Sequence, residues 1–288
     1  MPPLEISVVV PVFNEEENLP LLAAELQGVL RSLGRPYEAI FVDDGSTDGS
    51  LAALCELARQ DLGVRIVRLR RNAGQSAALA AGFRAARGGI VVTLDADLQN
   101  DPADIPKLLD RLEDFDGCDV VCGVRAGRQD AWLRRASSRI AGGVRNRLTR
   151  DPVADAGCTL RVYRAEFLRR IPLFTGMHRF LPTLLKLEGA RIAEVPVRHR
   201  PRRHGQSKYN IRNRIWRSLA DLFAVRWMQR RWIDRRAPEE IDPCHSMPTS
   251  SGSPSASSAR HSSSAVSSCS GSPPSGKNRA SSRAPSGT

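Results

Sequence analysis

Two carboxylate pairs, each directly behind an apolar run, are the residues best suited to chemistry: Asp43-Asp44 after AIFV and Asp95-Ala96-Asp97 after IVVTL. Aspartates two residues apart point the same way only where a strand has already given way to a loop. There Asp95 and Asp97, with Gln99 beside them, would make a hard-oxygen site suited to Mg²⁺ or Mn²⁺. Such a metal would neutralise a diphosphate leaving group as a Lewis acid. Asp-x-Asp also caps helices, so the spacing alone leaves two readings open; the preceding VVTL run and Gln99 favour the metal. After Asp43 and Asp44, Gly45 suits a tight turn, and Ser46, Thr47 or Asp48 can cap the next helix. That cap leaves Asp43 and Asp44 themselves unexplained. Carboxylates there can accept from base N–H or ribose hydroxyl groups.

The elements that must position these residues follow from periodicity. Apolar runs at Ile6–Val12, Ala39–Val42, Val64–Leu69, Ile90–Leu94 and Val120–Val124 alternate with helical stretches near Glu15–Leu33, Asp48–Gln60, Gly74–Ala86 and Asp104–Asp114. Continuous apolar strands separated by helices predict an α/β fold with a mostly parallel central sheet and helices on both faces. Ligands in such sheets sit at the carboxyl ends of the strands. Asn14-Glu15-Glu16, Asp43-Asp44 and Asp95–Asp97 all fall on that rim.

Composition narrows the class further. The formal charge of +12 is uneven: Arg198 to Arg236 carries +11 and the stretch from Ala237 carries +1, leaving residues 1–197 neutral. This short basic region is suited to phosphates, anionic lipid or nucleic acid. The six cysteines show no CxxC pair and no histidine at metal spacing, which argues against a zinc site or a disulfide framework and fits a reduced, cytoplasmic setting. The N-terminus turns acidic after a short apolar run, so it reads as no signal peptide, and no run of eighteen apolar residues occurs. GxGxxG and GxxxxGK[ST] are both absent, which removes the usual dinucleotide and P-loop readings. Residues 237–288 are Ser/Pro-rich and read as a disordered tail.

PVFNEEENL, VDDGSTDGS, RNAGQSAALAAGFRAARG and VVTLDADLQNDP, in that order, resemble family 2 glycosyltransferases of the GT-A (Rossmann-like) fold. AGCTLRVYR and FLPTLLKLEGARIAEVPVRHRPRRHGQSKYN are similar to the branch of dolichol-phosphate mannosyltransferase and the bacterial polyprenyl-phosphate glycosyltransferases. The resemblance covers about Ile6 to Trp232. It implies an inverting transfer from a UDP- or GDP-sugar to a polyprenyl phosphate carrier. It also implies nucleotide-binding roles for Pro11, Asn14, Glu15 and Asp44, and metal and diphosphate roles for Asp95, Asp97 and Gln99. Arg125, Arg134 and Ser138 match the acceptor-phosphate site, with Arg128 and Arg135 as near competitors. Arg202, Ser207 and Lys208 match residues that close over the donor diphosphate.

The chemistry agrees with that assignment. A lipid phosphate is already anionic, so positioning and charge screening can replace the base that a hydroxyl acceptor requires. Arginine grips phosphate bidentately. Asp155, ahead of AGCTLR, suits a base or, preferably, the orientation of an arginine. His178 and Cys158 read as structural. The domain plan is a catalytic domain over 1–209, a basic amphipathic juxtamembrane helix over 210–236 and the tail over 237–288. Ile211, Ile215, Leu219 and Leu222 at helical spacing, with Trp216, Trp227 and Trp232, suit a helix lying on an anionic bilayer. Relatives of this branch often continue into two transmembrane helices; here the Ser-rich stretch follows. The reading is thus a peripheral enzyme at the inner face of the cell membrane. Its competitor is a soluble family 2 transferase acting on a sugar or protein hydroxyl. A nucleic-acid partner is not expected, because no helix-turn-helix, zinc-finger or RNP pattern accompanies the basic region.

Overall fold

A computed structural model describes residues 3–61, 63–114, 117–126, 143, 146, 149, 153–155, 157–201 and 211–233, the stretch 211–219 by its backbone only. In chain order the elements are β1 (Ile6–Val12), α1 (Leu19–Ser32), β2 (Tyr37–Asp43), α2 (Ser50–Gln60), β3 (Val64–Arg68), α3 (Gln75–Ala85), β4 (Ile90–Thr93), α4 (Ile105–Glu113), β5 (Val120–Arg125), β6 (Arg161–Arg164), α5 (Leu181–Leu187), β7 (Ile192–Val197) and α6 (Ile211–Arg230). Single helical turns at Pro102–Asp104, Ala165–Leu168 and Met177–Arg179 join some of them.

The seven strands form one sheet in the order β3-β2-β1-β4-β6-β5-β7. β1 pairs in parallel with β2 and β4, and β2 with β3. β6 runs antiparallel between β4 and β5, and β7 returns parallel to β5. Residues of β1 alternate between two cores. Val8 and Val10 pack with Leu19, Leu22 and Leu26 of α1 and with α4. Val9 packs with Ala78, Leu79 and Phe83 of α3 and with α5. Helices therefore cover both faces, which is why β1 and β2 read as continuous apolar runs rather than alternating ones.

The five expected strands are present with shifts of a residue or two. β6 and β7 were not expected. Arg161–Arg164 is four residues with an arginine at each end, and Ile192–Val197 carries Glu194 and Pro196. Neither offers the apolar run that marks a strand, and their pairing with β4 and β5 makes them strands.

α6 also differs from a one-faced amphipathic helix. Leu222 and Val225 are buried in the second core, whereas Phe223 and Trp227 are 64% and 61% exposed. The described part of α6 is thus packed on the α/β body and apolar outside as well. Residues 1–238 form one compact unit, and the tail lies outside the described residues. No helix among the described residues is long and apolar enough to cross a membrane.

Candidate active site

Strand order reverses at β1: β2 and β3 lie on one side and β4 on the other. Loops leaving the carboxyl ends of β1 and β4 must therefore diverge, and a crevice opens between them. Two non-glycine residues among the described ones have left-handed backbone, Asn14 (φ 54°) after β1 and Leu98 (φ 59°) after β4. Strain of this kind, of order 1 kcal/mol or more for leucine, clusters at functional sites. The crevice is a cleft of about 620 Å³, and Pro11, Glu15, Asp44, Gly74, Asp95 and Asp97 are among the residues that line it.

The loop after β2 is built by hydrogen bonds that the sequence does not announce. Buried Asp43 accepts from the Ser46 amide at 3.0 Å. Buried Asp44 accepts from the amides of Ala73 and Gly74 at 2.7 and 2.9 Å, fixing the start of α3 from outside that helix. Gly45 has φ +69°, and a Cβ there would lie 2.7 Å from the Arg71 backbone carbon, so only glycine lets this turn pass beneath the Arg71-Asn72 segment. Asn14 locks the neighbouring loop: its Oδ1 accepts from the Thr47 amide at 2.7 Å, and its own amide donates to Ser46 Oγ at 3.0 Å. Glu15 donates its amide to Ser50 Oγ at 2.8 Å. Asn14 is thus a brace between two strand ends, and it is Glu15 that lines the cleft.

Beyond β4 the strand has become loop by Leu94, as two co-directed aspartates require. Asp97 Oδ1 accepts from the Gln99 amide at 3.2 Å, and Asp95 Oδ1 accepts from Gln75 Nε2 at 2.8 Å. Burial, and then the Asp97 carboxylate, push the Asp95 carboxyl up to about 7 against the opposing pull of Thr159, Gln75 and Arg161. A buried carboxyl beside a second carboxylate is a hard-oxygen donor set that fits a divalent cation. Among the described residues, no group of three or more His, Cys, Asp or Glu side chains gathers to hold a metal.

The antiparallel insertion of β6 sets Arg161 opposite Thr93, and Arg161 shares a small cavity with Asp95, Gln75 and His178. Buried Arg161 donates from Nη1 to the His178 carbonyl at 3.3 Å. His178 Nδ1 lies 2.7 Å from Ser76 Oγ, and Ser76 Oγ also accepts from the Gly176 amide at 3.0 Å. The histidine read as structural therefore stands in the cleft wall, next to Arg179. Gln75, Ser76, Arg179 and Asp221 complete a lining that the sequence reading missed. Each is an ordinary residue in its local context, and only the packing of α3, α6 and the loop before α5 brings them together.

Residues 7–171 match the family model described as glycosyl transferase family 2. That span is more than half of the chain. The protein belongs to glycosyltransferase family 2. Among curated family members it is similar to the dodecaprenyl-phosphate galacturonate synthase of Rhizobium johnstonii, with 41% identity over 231 residues, 79% of this chain and 68% of that protein. The undecaprenyl-phosphate 4-deoxy-4-formamido-L-arabinose transferase of Edwardsiella ictaluri is also 41% identical, over 208 residues, 72% of this chain and 63% of the relative. The chain thus spans about two thirds of the length of these relatives. The glucosyl-3-phosphoglycerate synthase of Mycobacterium tuberculosis, solved with Mn²⁺, UDP and glucosyl-3-phosphoglycerate, superposes with a TM-score of 0.60 at 22% identity, over 79% of this chain and 80% of that one. This last likeness establishes the GT-A fold alone.

In this family 2 transferase the expected site residues divide into three groups. Pro11, Glu15, Asp44, Asp95 and Asp97 line the one cleft. Asn14, Asp43 and Gln99 do not line it; Gln99 instead accepts from the Arg200 amide at 2.9 Å through its backbone carbonyl. Arg125 and Asp155 form a bidentate pair away from that lining, Nε to Oδ2 at 2.7 Å and Nη2 to Oδ1 at 2.8 Å, with Gly157 donating to the same carboxylate. Asp155 is thus engaged with an arginine through both carboxylate oxygens. Arg134, Ser138, Arg202, Ser207 and Lys208 lie outside the described residues, as do Arg128 and Arg135. Cys158 is a buried thiol, pushed up in pKa chiefly by burial. The basic region is also less uniform than its count suggests. Arg200 pairs with Glu25 and Asp101, and Arg198 lies within ion-pair reach of Asp101 and Asp104.

Proposed function

We propose that this family 2 enzyme moves a sugar, with inversion, from a UDP- or GDP-sugar to a polyprenyl phosphate. The observation that carries the reading is the meeting of Asp95 and Asp97 with Pro11, Glu15 and Asp44 in one cleft at the sheet's switch point. Similarity to two polyprenyl-phosphate sugar transferases supports the acceptor. Asp95 and Asp97 would hold Mg²⁺ or Mn²⁺, which when bound neutralises charge on the departing diphosphate.

The chain's own residues then have a limited task. Pro11, Glu15 and Asp44 bind and orient the nucleoside. A phosphate oxygen of the acceptor attacks the anomeric carbon while the bond from that carbon to the diphosphate oxygen breaks. A sugar phosphodiester and a nucleoside diphosphate result, and no proton has to be removed because the nucleophile is already anionic. Arg125, held in a fixed fork by Asp155, is suited to grip the acceptor phosphate, together with Arg134 and Ser138. Arg202, Ser207 and Lys208 would close over the donor diphosphate.

Phe223, Trp227 and Ile233 are exposed on or just after α6, with Arg230 and Arg231 beside them. Aromatic and basic groups in this combination suit the headgroup region of an anionic bilayer, where the acceptor resides. The site reading is tested with purified protein, undecaprenyl phosphate in detergent and a panel of UDP- and GDP-sugars, with and without Mn²⁺ or Mg²⁺. Sugar on the lipid is the expected result. Nucleotide release only with a hydroxyl acceptor would replace this reading with that of a soluble transferase. Sedimentation with phosphatidylglycerol vesicles, but not with phosphatidylcholine vesicles, is the expected membrane result.

A further inference from the structure

The cleft holds one acidic side chain that neither the nucleotide nor the diphosphate reading uses. Asp221 comes from α6 and joins Thr175, Gly176, His178 and Arg179 in the lining. It is bordered on two sides. The next residue, Leu222, is buried in the second core and anchors that turn of the helix. On the other side a Cβ at Gly176 would lie 2.3 Å from Asp221 Oδ2, and Gly176 also has φ +94°. The positive φ calls for glycine there, and the short distance shows how closely the loop runs beside the carboxylate. The loop is in turn tied to α3 through the Gly176 amide and Ser76 Oγ, and α3 starts where Asp44 holds Ala73 and Gly74. The carboxylate is thus presented by the same framework that shapes the nucleotide end.

With Pro11, Glu15 and Asp44 facing the nucleoside and Asp95 and Asp97 facing the diphosphate, the sugar ring is the part of a nucleotide sugar still without a partner. A carboxylate repels the diphosphate but is a strong acceptor for ring hydroxyls. Resting on the donor reading above, we propose that Asp221 is a donor-recognition residue whose carboxylate accepts hydrogen bonds from hydroxyl groups of the transferred sugar. The C-terminal helix would then supply part of the specificity of the site.

The test is calorimetric binding of UDP, GDP, UDP-glucose, UDP-galacturonate and GDP-mannose to the purified full chain, as wild type, Asp221→Asn and Asp221→Ala. Free nucleotide should bind all three proteins alike. The nucleotide sugar that wild type prefers should weaken about tenfold in Asp221→Ala and less in the isosteric Asp221→Asn, with a matching rise in donor KM. Equal affinity of that nucleotide sugar for all three proteins overturns the proposal. So does loss of free-nucleotide binding in the Asn variant, which would make Asp221 architectural. A collapse of kcat with donor affinity intact also overturns it, in favour of a base acting on a hydroxyl acceptor. If wild type binds neither nucleotides nor nucleotide sugars, the donor reading itself fails, and that result is distinct from the other three.

Discussion

Asp44 and Asp95 each stand just behind an apolar strand, yet the fold holds them by different kinds of donor. Asp44 accepts from two backbone amides of a neighbouring loop, and Asp43 from the amide of its own turn. Backbone donors cannot swing away, so these carboxylates are fixed in the frame even where Asp44 borders the cleft. Asp95 instead depends on side-chain donors, Gln75 and Thr159, and its burial beside Asp97 raises its proton affinity. Asp44, held by two amides of another loop, ties that loop to its own turn. A carboxylate crowded by another is poised to take a cation.

The largest effect should come from the second pair. Asp97→Ala is expected to lower turnover by two orders of magnitude or more, about the several kcal/mol a Lewis acid supplies, while thermal unfolding barely moves. A steady-state assay beside a melting curve measures both, and a large fall in Tm with modest loss of rate would break the distinction. Next, Asp44→Ala strands the Ala73 and Gly74 amides and should cost about 2 kcal/mol of stability in urea unfolding. If stability were unchanged while donor affinity fell, Asp44 would belong with the reactive pair. Gln75→Ala, which removes the amide that orients Asp95, should reduce Mn²⁺ affinity or kcat about tenfold without unfolding the chain.

The smallest effect sharpens the frame side of the comparison. Burial pushes Glu38 upward, but the Ser7 hydroxyl, the Arg87 amide and the Arg65 guanidinium outweigh it and hold its carboxyl below the usual range. A lowered folded pKa contributes stability that is present above the unfolded value of about 4.3 and lost as pH falls through the folded value. Wild type should therefore lose stability more steeply than Glu38→Gln on acidification below about pH 4.3, by less than about 1.4 kcal/mol per pH unit. Parallel urea titrations at stepped pH measure the difference in slope, and superimposable slopes would remove Glu38 from the frame.

The difference between the two pairs was not legible in the sequence, although their location was. Apolar runs of period one marked β1 to β5, and the acidic clusters behind them marked the rim, because a strand buried on both faces must be apolar until it ends. Order along the chain likewise specified the family. β6 escaped because RVYR has no pattern of its own; it is a strand through its pairing with Thr93 and Val92, and that pairing carries Arg161 to the side of Asp95. His178 and Asp221 escaped for a related reason. One precedes a short helix and the other lies among arginines, and nothing local separates them from surface residues.

By itself, then, the sequence determined the α/β class, the rim on which ligands must bind and the family. Each of these depends on hydrophobic periodicity or on motifs contained in a few consecutive residues. Only the tertiary structure decided that Asp44 is held by backbone amides and Asp95 by side chains, and that α6 contributes to the cleft. Those outcomes depend on donors tens of residues away, and hydrogen-bond satisfaction is a property of the packed molecule.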